Sequence, residues 1–181
     1  AEGIVQVGDF LYQLTWQERT IIQYNLNNLK EQKEFKMDPQ MKEGWGLSDY
    51  INDTLIATDG SDKFYFLNPV DMKVKQKLNI TYDGKPVMFL NEIRYVNQNE
   101  ALCNIYLTQK IARINLTTGK VVKMYDMSKI IDYEVNHQGN TYGNIENGEC
   151  LNGIAIPDKS NRNRVILTGK LWSHFYEVEF K

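Results

Sequence analysis

The side chains that could do chemistry in this sequence are one carboxylate, one amine and two amides. Glu2 stands in the opening Ala-Glu-Gly-Ile, Lys170 in Thr-Gly-Lys-Leu-Trp, and the amides are Asn91 and Asn152. A carboxylate can accept and donate a proton, and an amine or amide can hydrogen-bond the oxygen of a tetrahedral intermediate. These residue types predict proton transfer on a small polar substrate.

Other kinds of site are not indicated. His137 and His174 are far apart in the chain, and no Cys/His or His/carboxylate cluster has the spacing of zinc ligands. No nucleophile elbow, phosphate loop or dinucleotide fingerprint is present. The formal charge of −2 gives no reason to expect nucleic acid or an anionic membrane as a partner. No apolar run approaches the roughly 18 residues that span a bilayer.

A repeat brings the candidate residues to equivalent positions. The last unit runs from Leu151 to Phe180 and contains three short apolar runs rich in β-branched and aromatic residues. Its opening recurs three times upstream, at 1–4, 44–47 and 90–93. A second apolar run follows at the same spacing in the first three copies and slightly later in the last. The second residues of the four openings are Glu2, Trp45, Asn91 and Asn152.

A period of about 42 to 47 residues, with three or four short strands per unit, is typical of a β-propeller. We therefore predict an all-β chain in which residues 1–181 form one propeller domain with about four blades visible. The first run of each unit would be the innermost strand, lining the central channel. A two-sheet sandwich also has short strands at regular spacing, but the internal repetition argues against it.

The repeat predicts that the second residue of each opening points toward one end of the channel. Trp16 and Tyr106, at the ends of second runs, would join them there as aromatic walls. A solvated rim glutamate is the alternative for Glu2, and a core tryptophan is the alternative for Trp16. The glycines on both sides of Trp45 indicate close backbone packing at the axis.

Three further stretches carry structural predictions. The charged segment Asn27 to Asp38 could pass for a helix, but the other units place an outer β-hairpin there. The connection from Met127 to Glu149 is longer than its counterparts and predicts an excursion over one face, either a lid or a plain surface loop. Cys103 lies within a predicted strand, so a buried thiol is favoured over a bridge to Cys150.

Three glycosylation sequons, at Asn52, Asn79 and Asn115, weakly favour a secreted glycoprotein. We accordingly expect the secretory pathway, an extracellular location or the periplasm. No signal peptide is present, but Ala1 already lies inside a repeat, so we expect the natural N-terminus to lie elsewhere.

Long segments of the chain resemble the plant-type glutaminyl cyclases, or glutamine cyclotransferases. The resemblance runs from Ala1 to Phe180 and is carried by LYQLTWQE, EGWGLSDY, IATDG, LNEIRYVN, IARIN, LNGIA and TGKLW. It implies a five-bladed propeller that converts the N-terminal glutamine of peptides and proteins to pyroglutamate and releases ammonia. By the same resemblance Glu2 carries protons, and Asn91 and Lys170 are polar groups of the active site.

The resemblance also implies that Trp16 and Trp45 belong to the substrate pocket, with Tyr106 standing where the family has tryptophan. Asn152 is a further candidate for substrate binding. The first blade of the family, with its F-T-Q-G-L motif, is absent, which implies a chain shortened at its N-terminus. We expect a monomer, or this chain associated with a separate N-terminal segment. No cofactor or metal is required by the chemistry, and a divalent cation on the propeller axis would be structural.

Two other functions compete with a cyclase. A propeller lacking one blade could be a non-catalytic binding or interaction module. A sugar lyase or lactonase on a propeller would need several inward carboxylates or histidines, and the repeat places only Glu2 there.

Overall fold

The computed structural model describes residues 2–97, 99–137 and 149–180. These residues form three four-stranded sheets, one three-stranded sheet and a two-stranded hairpin. In each of the larger sheets, neighbouring strands are consecutive in the chain and antiparallel. Each sheet is thus one blade, and the prediction of a β-propeller with four visible blades is confirmed.

The strands of the blades follow the repeat unit by unit. Blade 1 comprises β1 (Ile4–Val7), β2 (Phe10–Leu14), β3 (Thr20–Asn25) and β4 (Glu31–Lys36). Blade 2 comprises β5 (Leu47–Asp49), β6 (Leu55–Ala57), β7 (Lys63–Leu67) and β8 (Val74–Asn79). The hairpin of β9 (Thr81–Tyr82) and β10 (Lys85–Pro86) follows it. Blade 3 comprises β11 (Leu90–Asn97), β12 (Glu100–Ile105), β13 (Lys110–Asn115) and β14 (Val121–Asp126). Blade 4 comprises β15 (Leu151–Ala155), β16 (Arg164–Gly169) and β17 (Tyr176–Glu179).

Three separate hydrophobic layers hold the blades together, one between each pair of neighbours. Strand β6 shows how one strand serves two layers. Leu55 and Ala57 pack toward blade 1, while Ile56 between them packs toward blade 3. Because successive side chains of a strand point to opposite faces, a blade covered on both sides must be apolar at every position. A sandwich would have a single layer of this kind, so the alternative fold is excluded.

The innermost strands β1, β5, β11 and β15 contact one another in that order. Glycine makes the approach possible, since a Cβ at Gly3 would overlap the backbone nitrogen of Leu47, and a Cβ at Gly46 would overlap the carbonyl oxygen of Asn91. The close backbone packing predicted around Trp45 is therefore present. It brings the openings of successive blades to one end of the channel.

Two predictions about elements need correction. Glu2 and Trp45 do not lie on innermost strands but just before them, because regular pairing starts only at Ile4 and Leu47. The long connection after blade 3 contains a helix, α1 (Ser128–His137), and Asp126 accepts a hydrogen bond from the Ser128 backbone N–H at its start (2.8 Å). The strand pattern of the repeat does not extend into this connection, so the repeat gives no prediction of α1.

Other predictions about elements are confirmed. The segment from Asn27 to Asp38 contributes to the β3–β4 hairpin, and Cys103 and Cys150 are both buried free thiols. The side chain of His137, and residues 138–148 with Gly139, Gly143 and Gly148, lie outside the described residues. Within the described ranges, no helix has the length and apolar character needed to cross a membrane.

Candidate active site

Glu2 is held at the channel end by its backbone. Its N–H donates to the carbonyl of Leu14 (2.8 Å), and the next N–H, of Gly3, donates to the carbonyl of Trp45 (2.7 Å). These two bonds join the opening of blade 1 to its own second strand and to blade 2. The side chain is half-buried, and among the described residues its carboxylate has no hydrogen bond or ion pair with another side chain. Glu2 is thus positioned by the fold while its carboxylate stays available.

Six of the seven candidate residues line one cavity of about 130 Å³. They come from all four blades of the chain and are Glu2, Trp16, Trp45, Asn91, Tyr106 and Lys170. An adjoining cavity of about 320 Å³ shares Glu2, Trp45 and Asn91 with it and contains Asn152, the seventh candidate. The structure therefore brings the sequence-derived candidates together, with Asn152 in the larger cavity beside Trp45 but outside the smaller one.

The aromatic walls of the smaller cavity pack against one another. Trp45 and Tyr106 meet edge to face, with ring centroids 5.4 Å apart and an interplanar angle of 75°. The Trp45 indole N–H donates to Glu43 Oε1 (3.1 Å), and its ring lies against Gly60, whose φ of +78° favours glycine. Trp16 is 46% exposed, so it is a wall of the cavity and not a core residue.

Lys170 reaches the same cavity from the position directly after β16, the second strand of blade 4. Its backbone N–H donates to the Cys150 carbonyl (2.9 Å), and its Nζ lies 5.1 Å from the centre of the Tyr106 ring. A cation over an aromatic face is attracted by the ring quadrupole. In the described part of the chain no ion pair joins Lys170 to Glu2, so the ammonium is free to meet a ligand.

Two buried polar side chains position the inner strands: Thr58, directly after β6, and Asn104, on β12. Thr58 accepts from the Gly46 N–H (2.7 Å) and donates to the Asn91 carbonyl (2.8 Å), which ties blade 2 to blade 3. Asn104 accepts from the Glu92 N–H (2.8 Å) and donates to the Leu151 carbonyl (2.8 Å), which ties blade 3 to blade 4. Sequence reasoning missed both residues, although each follows its blade opening at the same spacing.

Glu92 is a second carboxylate that sequence reasoning missed. The β11–β12 register shifts between Leu90 and Ile93, so Asn91 and Glu92 both line the larger cavity although they are adjacent in sequence. Glu92 is 9% exposed and forms an ion pair with Arg94 (2.5 Å). Burial raises the pKa of Glu92 to about 7, against the opposing charge of Arg94 and with the added repulsion of Glu2.

The family whose model matches this chain is described as glutamine cyclotransferase, and the match covers residues 1–180. The chain belongs to the glutamine cyclotransferase family. It is 34% identical over 184 aligned residues to a glutaminyl-peptide cyclotransferase of Arabidopsis thaliana, covering 99% of this chain and 52% of that protein. The resemblance read from the sequence motifs is thereby confirmed.

One solved structure agrees with this assignment, and another shares the fold. A glutaminyl cyclase of Myxococcus xanthus superimposes with a TM-score of 0.83 at 29% identity, covering 97% of this chain and 70% of that one. A chain of a nidogen–laminin complex matches with a TM-score of 0.53 at 13% identity, over 70% of this chain and 47% of that one, and shares the fold only. This member of the glutamine cyclotransferase family spans about half the length of the curated relative it matches.

A second cluster lies next to the site in this cyclotransferase-family chain, where α1 meets blade 4. Glu134, with no exposed surface, accepts from the Ser173 N–H (2.7 Å) and hydroxyl (2.9 Å), from the Tyr176 hydroxyl, and contacts His174 Nδ1 (2.9 Å). Burial opposes ionisation of Glu134, but hydrogen bonds from Tyr176, Ser173 and His174 outweigh it and lower its pKa to about 2. The cluster anchors the loop that follows Lys170.

The side chains of the site offer hydrogen-bond donors, acceptors and aromatic surface to an organic substrate. In the ranges that the structure describes, no three His, Cys, Asp or Glu side chains come together as ligands. What the site offers is a carboxylate that can exchange protons, an amide and an ammonium that can bind an oxygen, and aromatic surface.

Proposed function

We propose that the full-length protein is a glutaminyl-peptide cyclotransferase that converts the N-terminal glutamine of peptides and proteins to pyroglutamate and releases ammonia. The observation that carries the proposal is the convergence of Glu2, Asn91 and Lys170 with aromatic rings in one cavity. Family membership supports it independently. The size of the smaller cavity, about 130 Å³, suits a single glutamine side chain.

The chemistry needs one group that both accepts and donates a proton. The neutral α-amine attacks the side-chain amide carbon, and a C–N bond forms as the carbonyl oxygen becomes negative. Glu2 accepts the proton that the attacking nitrogen loses, then donates it to the amide nitrogen, which leaves as ammonia. Asn91 or Lys170 hydrogen-bonds the negative oxygen until the carbonyl re-forms. Proton transfer alone completes this sequence, so we propose that no cofactor is required and that any divalent cation on the axis is structural.

The aromatic residues are proposed to hold the substrate. The face of Trp45 and the ring of Tyr106 would cover the aliphatic part of the glutamine side chain, and Trp16 would close the solvent side. Asn152, in the adjoining cavity, is placed to bind the peptide beyond the glutamine.

The architecture supports a further blade in the full-length protein. Strands β1 and β15 face each other across the larger cavity, which is lined by Ile4 on one side and by Ile154 on the other. Blade 4 has three described strands where the other blades have four. We infer that additional chain completes the ring between blades 1 and 4, with the N- and C-terminal segments sharing one sheet. We expect this chain by itself to expose a sheet edge and to aggregate.

A location outside the cytosol remains our expectation for this protein. Asn52 and Asn79 are exposed, so a glycan could be attached at either, whereas the Asn115 side chain accepts hydrogen bonds from Thr117 and Thr118 in its own turn. We propose a secreted or periplasmic protein that acts as a monomer on peptide substrates.

The test is ammonia release from a glutamine-initiated dipeptide by the full-length protein, with EDTA present to inactivate any contaminating zinc enzyme. The same dipeptide with an acetylated amine is the matched control, since it has no nucleophile. We expect turnover of the free dipeptide only, unaffected by chelation. A protein that binds such dipeptides without releasing ammonia would instead be an interaction module, and the proposal would be wrong.

A further inference from the structure

The proposed reaction involves a second proton, for which the mechanism above provides no carrier. An N-terminal amine has a pKa of about 7.7 to 8.0, so at neutral pH the substrate arrives mostly as an ammonium ion. It must lose one proton before it can attack and a second while it attacks. Glu2 can carry only one of them at a time.

The larger cavity contains a carboxylate suited to the other proton. Glu92 lines it together with Glu2, Trp45 and Asn91, although alternation along a strand would place Asn91 and Glu92 on opposite faces. The register shift in β11 removes that constraint. Bulges of this kind often re-aim side chains beside active sites.

We propose, on the basis of the cyclase function, that Glu92 is a second proton acceptor of this active site. Its carboxylate attracts the substrate ammonium and takes one proton from it, which leaves the neutral amine. The amine attacks the amide carbon while Glu2 takes its next proton and passes it to the leaving nitrogen. Glu92 then returns its proton to the released ammonia, so ammonium leaves and both carboxylates are regenerated. No proton, water molecule or other reactant is left over.

The charges facing Glu92 support this role. Among the described residues, the charged groups that line its cavity are Glu2, from the opening of blade 1, and Arg94, from its own strand. The buried thiol of Cys103, on β12, also interacts electrostatically with Glu92, and the blade 4 residues Asn152 and Thr168 are uncharged. A carboxylic acid with a pKa of about 7 exchanges protons readily with an amine whose pKa is less than about one unit higher. Burial of Glu92 produces that match.

If Glu92 had a purely structural role, its replacement would have a different effect. Arg94 donates to the carbonyls of Leu47 (2.7 Å) and Ile93 (2.6 Å) and approaches that of Ile4 (3.3 Å). Glu92 could serve only to hold Arg94 in place between the blades. In that case its loss would lower stability and would leave the pH dependence of catalysis unchanged.

The experiment measures kcat/KM for a glutamine-initiated dipeptide from about pH 5.5 to 9.5, using the full-length protein and its Glu92→Gln and Glu100→Gln variants. Glu100 is the matched control, because it lies in the same blade and pairs with an arginine, Arg113 (2.8 Å), but does not line the cavity. We expect a bell-shaped profile for the wild type, whose acid limb reports Glu92 and whose alkaline limb reports the substrate amine. The Glu100→Gln variant should retain this bell-shaped profile.

Glu92→Gln should lose about 10-fold at neutral pH and should lack the alkaline limb, since only the roughly one-tenth of the substrate that is already neutral can then react. If Glu92→Gln does not fold, Arg94→Gln provides the second test. It removes the charge that opposes the rise in the pKa of Glu92, so the acid limb should move to higher pH. A wild-type profile in the Glu92→Gln variant, or an unmoved acid limb in Arg94→Gln, would overturn the inference. Absence of ammonia release from the wild type would instead refute the proposed cyclase function on which it rests.

Discussion

Replacing Glu2 by glutamine separates the proton chemistry of the site from its shape. Glutamine has almost the same volume and can still accept a hydrogen bond, but it cannot carry a proton at neutral pH. The backbone bonds that hold Glu2, to Leu14 and through Gly3 to Trp45, do not involve the side chain. Because no hydrogen bond or ion pair of the Glu2 side chain is lost among the described residues, we expect the free energy of unfolding to change by less than about 0.5 kcal/mol.

The expected loss of activity follows from the two steps that Glu2 serves. General acid–base groups contribute about 10² to 10⁴-fold. A single carboxylate that acts both as base toward the amine and as acid toward the leaving nitrogen should lie in the upper part of that range. We therefore expect kcat to fall about 10³ to 10⁴-fold, roughly 4 to 5.5 kcal/mol in the barrier, with KM little changed.

The assay is ammonia release from a glutamine-initiated dipeptide in EDTA, with thermal unfolding measured in parallel on the full-length protein. Glu43→Gln is the control, because Glu43 is also half-buried beside the site and accepts from Trp45, and glutamine can still accept that bond. The control should keep wild-type activity. A Glu2→Gln variant that is folded and retains most of the wild-type rate would show that Glu2 is not the proton carrier, whatever the fold.

Three other perturbations give separate expectations. Lys170→Ala should lower kcat and raise KM together, since its ammonium would bind both the substrate oxygen and the developing negative charge; an effect on only one parameter in steady-state kinetics would contradict this. Tyr106→Ala should lower kcat/KM with a near-native melting temperature, whereas a core role would cost about 3 to 5 kcal/mol of stability. The pKa of Glu134 is depressed in the folded state, so its stabilisation is complete above the unfolded value, about 4.3, and is lost as the pH falls through about 2. Acid unfolding should accordingly differ between the wild type and Glu134→Gln above pH 4 and converge near pH 2; parallel curves throughout would refute this account.

The fold could be predicted from the sequence because its signal is repeated. Any one apolar run is ambiguous, but four units with the same opening and the same spacing to the next strand indicate blades of one architecture. The repeat also aligned Glu2, Trp45, Asn91 and Asn152, and the structure places all four around one cavity. Their catalytic and binding roles stay predictions, since position alone does not show what a side chain does.

The features of the site that could not be predicted from the sequence are those that depart from the repeat. Alternation assigns Asn91 and Glu92 to opposite faces, and only the register shift in β11 puts both in the cavity. The Glu134 cluster joins α1, in a connection longer than those between the other units, to the loop beyond Lys170. Contacts between an insertion and a distant loop carry no periodic signal in a single sequence.

One backbone feature explains how similar units produce an asymmetric site. In every blade, regular pairing of the inner strand is established at the fourth residue of the opening, at Ile4, Leu47, Ile93 and Ile154. In blades 1 and 2 the strand simply begins there, whereas in blades 3 and 4 the register shifts just before it. The second residue of each opening is therefore released from the regular ladder and can face the channel. Since its side chain is not required for pairing, each blade can carry a different residue there, and substitutions at these positions should alter activity before they alter the fold.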